Sequence, residues 1–127
     1  MKNSIETLVD SHLAAYCESD PETRMAVFAR IWNKSGRLVD PPLESCGYQG
    51  MSEQAAALLQ QFPGHKFVRT TDVDHHHEFA RYGWVLRNAA GADALEGVDF
   101  LALDVDGRIM NVVGFFGPHE RRVTGER

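Results

Sequence analysis

The apolar residues of this chain change period once, at Pro63-Gly64, and that switch limits the fold more than any other feature. Before it, three stretches repeat hydrophobics at helical spacing; after it, apolar and polar residues alternate as in strands. Residues 4 to 18 place Ile5, Leu8, Val9, His12, Leu13 and Tyr16 on one stripe, with Asn3 and Glu6 spaced as a capping box. Asp20-Pro21-Glu22 opens a second helix with a cap, a first-turn proline and an acid. Met25, Phe28, Ile31 and Trp32 follow at core spacing, and Ser35-Gly36 reads as its end. Arg37 to Asp40 reads as a short strand closed by Pro41-Pro42, which cannot extend a ladder, and Gly47 to Gly50 as loop. Ser52 is the expected cap of a third helix bearing Ala55, Leu58, Leu59 and Phe62. Strands are expected over 66–76, 78–88, 93–105 and 108–117, with turns at Asn88 to Gly91 and at Asp106-Gly107. Helices first and strands after them predict an α+β fold: three N-terminal helices packed on one face of a curved, mostly antiparallel sheet.

A chain of 127 residues favours one domain, with a polar tail over 119–127 expected to fray. The net charge of -5 and the scatter of the 13 basic residues argue against a nucleic-acid partner. No apolar run approaches the ~18 residues that cross a bilayer, and the N-terminus lacks the pattern of a signal peptide, so no membrane partner is expected. Cys17 and Cys46 make no disulfide framework, which predicts reduced thiols and a cytoplasmic protein.

Within Leu95 to Leu103 (LEGVDFLAL), Asp99 shares a strand face with Leu95, Gly97, Leu101 and Leu103. An ionised acid there is costly. It is either held by donors for structural reasons, or it stays protonated and takes part in chemistry. Asp40 stands where strand becomes loop, as a turn-forming residue before proline or as a functional acid. His12, with Tyr16 one turn later, lies on the apolar face of the first helix as a core histidine or a site residue. Candidate walls for a pocket between these three are Tyr16, Trp32, Phe62, Trp84, Leu101, Val112 and Phe116, each of which also serves as plain core. His75 to His77 offer imidazoles at metal-ligand spacing, but few other ligands accompany them, so a polar strand end is the better reading and no metal is expected. The acids Glu18 and Glu44 beside the two thiols disfavour thiolates. No nucleotide-cradling glycine motif and no nucleophile elbow occurs, so no cofactor is indicated. Acid–base chemistry without a cofactor remains.

Four stretches, AAYCESDPETRMAVFARIWNKSGRLVDPP, GMSEQAAALLQQF, GVDFLALDVDGRI and VVGFFG, together resemble the nuclear transport factor 2-like superfamily, from about residue 5 to 118. That superfamily includes ketosteroid isomerase and the SnoaL-like polyketide cyclases. The resemblance implies a cone-shaped barrel with an internal pocket for a small apolar ligand. Ketosteroid isomerase uses an Asp before Pro at the end of its first strand as base, which falls here on Asp40-Pro41. It also keeps a late-strand Asp protonated as a donor to the developing oxyanion, which falls on Asp99. Its first-helix Tyr falls on His12, whose neutral imidazole can also donate. The implied activity is cofactor-independent proton transfer next to a carbonyl, with Asp40 as base and Asp99 and His12 as donors. The alternative is a non-catalytic binding or interaction module of the same fold. The resemblance to limonene epoxide hydrolase stops at Gly97 and Gly114, where that enzyme's Arg and second Asp would stand. A homodimer through the outer sheet face is also implied, and the apolar outer parity of Val98, Phe100 and Ala102 agrees with it.

Overall fold

The computed structural model describes residues 4–118 and 122–123. In chain order its elements are α1 (Ile5–Ala15), α2 (Pro21–Ile31), β1 (Trp32–Asp40), β2 (Leu43–Cys46), α3 (Gly47–Gln61), β3 (Lys66–Arg69), β4 (Asp74–His76), β5 (Phe79–Arg87), β6 (Asp93–Leu103) and β7 (Ile109–Phe116). The strands form one seven-stranded sheet in the order β2-β1-β7-β6-β5-β3, with β4 alongside β5. Among the described residues only the β1–β7 pair is parallel. Thus the α+β architecture is the one the periodicity predicts, but the sheet is not closed: β2 and β3 remain edges, so it is a curved open cone rather than a barrel. Register shifts at Leu86/Arg87 and Ala102/Leu103 bend the long strands around the helical layer.

Local chemistry explains where the elements begin and end. Ser4 caps α1, its hydroxyl accepting from the Thr7 N–H at 3.0 Å. Asn3, the expected cap, lies outside the described residues, as do 119–121 and 124–127 of the expected tail. Asp20 caps α2 through the Thr23 N–H at 2.9 Å. That helix stops at Ile31, not at Ser35-Gly36, and Trp32 opens β1. Trp32 pairs with Ile109 and Arg37 with Asn111, so Ser35-Gly36 sits in a bulge of β1. Gly36 is there because the Trp32 ring lies across it; a Cβ would stand 2.3 Å from Cε3.

Pro41-Pro42 ends β1 as expected, yet the chain pairs straight back as β2, Asp40 opposite Leu43. Gly47, at φ +74°, then turns the chain into α3 with no intervening loop. Ser52 is therefore not a cap but a buried residue inside α3, accepting from Arg24 Nε at 3.0 Å. Arg24 also donates to the Glu18 carbonyl at 2.8 Å and so ties α2 to α3 and to the preceding loop. The expected strand 66–76 breaks between Arg69 and Asp74, because the Thr71 hydroxyl takes the Gly83 N–H that a ladder partner would have taken. The turns at Asn88–Gly91 and Asp106-Gly107 stand where the glycines predict them, at φ +88° and +82°. The core lies between helices and sheet, around Val9, Phe28, Trp32, Met51, Ile109 and Val112.

Candidate active site

Under the helices, a cavity of about 280 Å³ opens between α1, α3 and the inner face of the sheet. Sheet order explains how the two acids reach it. Asp40 ends β1 and Asp99 lies in β6, with β7 between them; Asp99 pairs with Gly114 and Val39 with Val113. Two strand spacings of about 4.8 Å separate the backbones. Gly114 leaves the space between them open, since a Cβ there would stand 2.9 Å from Asp99 Oδ1 and 3.1 Å from Asp40 Cβ.

Asp99 is buried and holds two donors. Tyr82, directly opposite on β5, gives its hydroxyl to Oδ2 at 2.9 Å. Trp84, one same-face position further, gives its indole N–H to Oδ1 at 2.9 Å. The indole reaches that far because Gly97 lies beneath it, where a Cβ would collide at 2.4 Å. Burial pushes the Asp99 carboxyl up to about 6, the two donors draw it partly back, and the Asp40 charge raises it again. Asp40 is half-buried, and burial raises its pKa to about 6, with the Leu43 N–H pulling the other way. Among the described residues its Oδ1 has no hydrogen-bond partner.

From α1, two side chains one turn apart face this pair. His12 is buried, accepts from the Trp32 indole through Nδ1 at 3.2 Å, and is lowered by burial to about 4. Tyr16 is also buried, and its hydroxyl has no partner among the described residues. Burial first, then the charges of Asp40 and Asp99, raise its pKa above the ordinary value. The cavity wall is otherwise apolar: Leu38, Phe62, Phe67, Trp84, Leu86, Leu95, Val112 and Phe116, with Gln54 and Gln61 on α3 as its polar members.

The three residues singled out from the sequence, His12, Asp40 and Asp99, thus line one cavity, and so do Tyr16, Phe62, Trp84, Val112 and Phe116. Trp32 and Leu101, expected on its wall, are instead packed in the core behind it, at 0% and 2% exposure. Tyr82 was missed. Its signal was the alternation of β5, which puts Tyr82 and Trp84 on one face opposite LEGVDFLAL. Tyr16, expected on the wall, is the first-helix group whose hydroxyl has no partner among the described residues.

Elsewhere, His75 to His77 form an exposed strand end and turn, His77 at φ +53° and the two Nδ1 atoms of His76 and His77 3.0 Å apart. Among the described residues no three His, Cys, Asp or Glu side chains converge as a metal site, and no helix is long and apolar enough to cross a membrane. Burial, rather than Glu18, raises the Cys17 thiol.

This layering, three helices over a curved mixed sheet, is the nuclear transport factor 2-like fold. A structure provisionally assigned as an isomerase of the SnoaL-like family from Agrobacterium tumefaciens is 37% identical to this chain, covering 89% of it and 97% of its own length, with a TM-score of 0.84. The chain belongs to the SnoaL-like family. A provisionally assigned SnoaL-like polyketide cyclase from Jannaschia matches at 15% identity and TM-score 0.66, over 91% of this chain and 90% of its own. A protein of ketosteroid isomerase-like fold from Catenulispora acidiphila, in complex with trimethylamine, matches at 14% and 0.68, over 87% and 85%. At those identities the likeness is one of fold. No protein-family model and no curated protein matches the chain.

Proposed function

We propose that the cavity binds a small, uncharged, carbonyl-bearing apolar molecule and moves a proton next to its carbonyl without a cofactor. The Asp40 carboxylate takes a proton from the carbon beside the carbonyl, and the electron pair passes to the carbonyl oxygen. Tyr16, protonated Asp99 and His12 donate hydrogen bonds to that oxygen as it gains charge. Asp40 then returns the proton at a second carbon, so that the net change is an isomerisation. In this assignment Tyr16 joins His12 as the first-helix donor.

One observation carries the reading: Tyr16 Oη and Asp40 Oδ1 are both buried on the wall of one hollow, beside Asp99, and neither has a partner among the described residues. A buried polar atom without a partner costs ~1–3 kcal/mol. A ligand bringing an acceptor to the one and an acidic C–H to the other removes both deficits. The absence of Lys and Arg among the described lining residues supports an uncharged ligand over an anionic one. The isomerase assignment of the Agrobacterium relative agrees in class.

Asp40→Asn is the direct test, using a panel of cyclic unsaturated ketones. Turnover is expected to fall ~10²–10⁴-fold while ketone binding persists. Unchanged turnover removes Asp40 from the chemistry.

A second reading, a small-molecule binder without chemistry, is favoured by the fact that both Asp99 oxygens already accept bonds from Tyr82 and Trp84. It predicts ligand binding with no turnover of the panel, and an Asp40→Asn effect on affinity alone.

A further inference from the structure

Trp32 begins β1 with its ring wholly buried, and its indole N–H donates to His12 Nδ1 at 3.2 Å. A donor facing Nδ1 requires a lone pair on that nitrogen. A neutral imidazole with its lone pair on Nδ1 carries its proton on Nε2. Burial keeps the imidazole neutral down to about pH 4, so this tautomer is the form present in use. No hydrogen-bond partner takes Nε2 among the described residues, and His12 lines the cavity.

The indole is itself fixed on two sides. Its ring rests on Gly36, and its own backbone carbonyl accepts from the Tyr48 hydroxyl at 3.1 Å. The imidazole meets the Trp32 ring at 5.6 Å and the Tyr16 ring edge-on at 5.3 Å, so it cannot turn over without displacing two aromatic neighbours.

We propose that Trp32 is a positioning residue that locks His12 as an Nε2–H donor, so that this nitrogen receives only an acceptor atom of the ligand. The consequence is selective. A ketone, ether or hydroxyl oxygen satisfies Nε2–H, whereas a group with only donors leaves it unpaired. The proposal rests on the proton-transfer reading only for its effect on rate; the tautomer itself does not depend on turnover.

The test is nitrogen NMR of the ¹⁵N-labelled full chain at pH 7, with the His12 ring assigned by its loss in His12→Gln. Long-range proton–nitrogen correlations are expected to show a protonated Nε2 and an unprotonated Nδ1. A scalar coupling across the hydrogen bond from Trp32 Nε1 to His12 Nδ1 is expected in the unsubstituted protein, which needs no variant to fold. In Trp32→Phe the ring is expected to become a mixture of tautomers, and kcat to fall about 2- to 10-fold with a smaller change in KM. A proton on Nδ1 in the unsubstituted protein overturns the proposal, as does a tautomer unmoved by Trp32→Phe. Failure of the enzyme reading looks different: Asp40→Asn leaves turnover unchanged while His12 keeps its proton on Nε2.

Discussion

Burial raises both Asp40 and Asp99 to about 6, and the Asp40 charge across Gly114 adds to the rise at Asp99. The proposed proton transfer needs Asp40 ionised and Asp99 protonated, a pair holding one proton, so the macroscopic titration of the pair matters more than either site alone. Below about pH 6 the base is lost, and above it the donor is lost. The pH profile of kcat/KM is therefore expected to be a bell centred near pH 6, and a plateau extending to pH 9 would contradict it. Stability follows the same groups. Asp99 holds its proton more tightly folded, at about 6, than at its ordinary 3.8. Its contribution is full below 3.8 and is lost as pH rises through about 6, on the order of 3 kcal/mol. His12 acts in the opposite sense: folded near 4 against an ordinary 6.5, it contributes above 6.5 and loses that as pH falls through about 4. Asp99→Asn removes the first contribution, so the variant's stability is expected to rise with pH relative to the parent's between pH 4 and 6.5. Urea unfolding at four pH values checks this; parallel curves would sink it. At this scale the acids were legible, because a carboxylate inside GVDFLAL or before Pro41 breaks a local pattern. The Tyr16 hydroxyl was not, since a tyrosine on an apolar stripe looks the same whether its oxygen is paired or free.

At the scale of elements, two glycines decide whether the site forms. Gly97 admits the Trp84 indole to Asp99, and Gly114 separates the acids. Gly114→Ala is expected to keep the fold, because φ there is ordinary for a strand and the collision is with a side chain. It should displace the Asp99 carboxylate and lower kcat at least about 10-fold, since misplacement of about 1 Å costs that much or more. A crystal structure of the variant with Asp99 unmoved and full activity would refute the argument. The periodicity switch gave the three helices and the late strands. What it could not give was the start of α3, the existence of β2 or the bulge in β1: β2 is only four residues folded back on β1, α3 follows it with no loop, and the bulge depends on the distant β7. Trp32 fits a helical stripe through Phe28 and Ile31, and only its pairing opposite Ile109 makes it a strand residue. Ser52 has the right chemistry for a cap, yet Arg24 claims its hydroxyl.

At the scale of the molecule, the outer sheet face exposes Phe100, Val113 and Phe115, and the two phenylalanine rings meet edge-on at 5.9 Å. The helices cover only the other face, so we propose that a second copy of the chain covers this one. A stable pair buries roughly 1,200–2,000 Å². Sedimentation is expected to give a dimer at micromolar concentration and a monomer for Phe115→Glu; a monomeric parent would end the idea. The parallel pairing of β1 with β7 has a consequence for how the site comes into being. Asp40 acquires its neighbourhood only when β7 slots in between β1 and β6. A chain lacking β7 would carry both carboxylates without the strand that sets them across Gly114. The proposed centre is therefore complete only once β7 is paired with both of its neighbours.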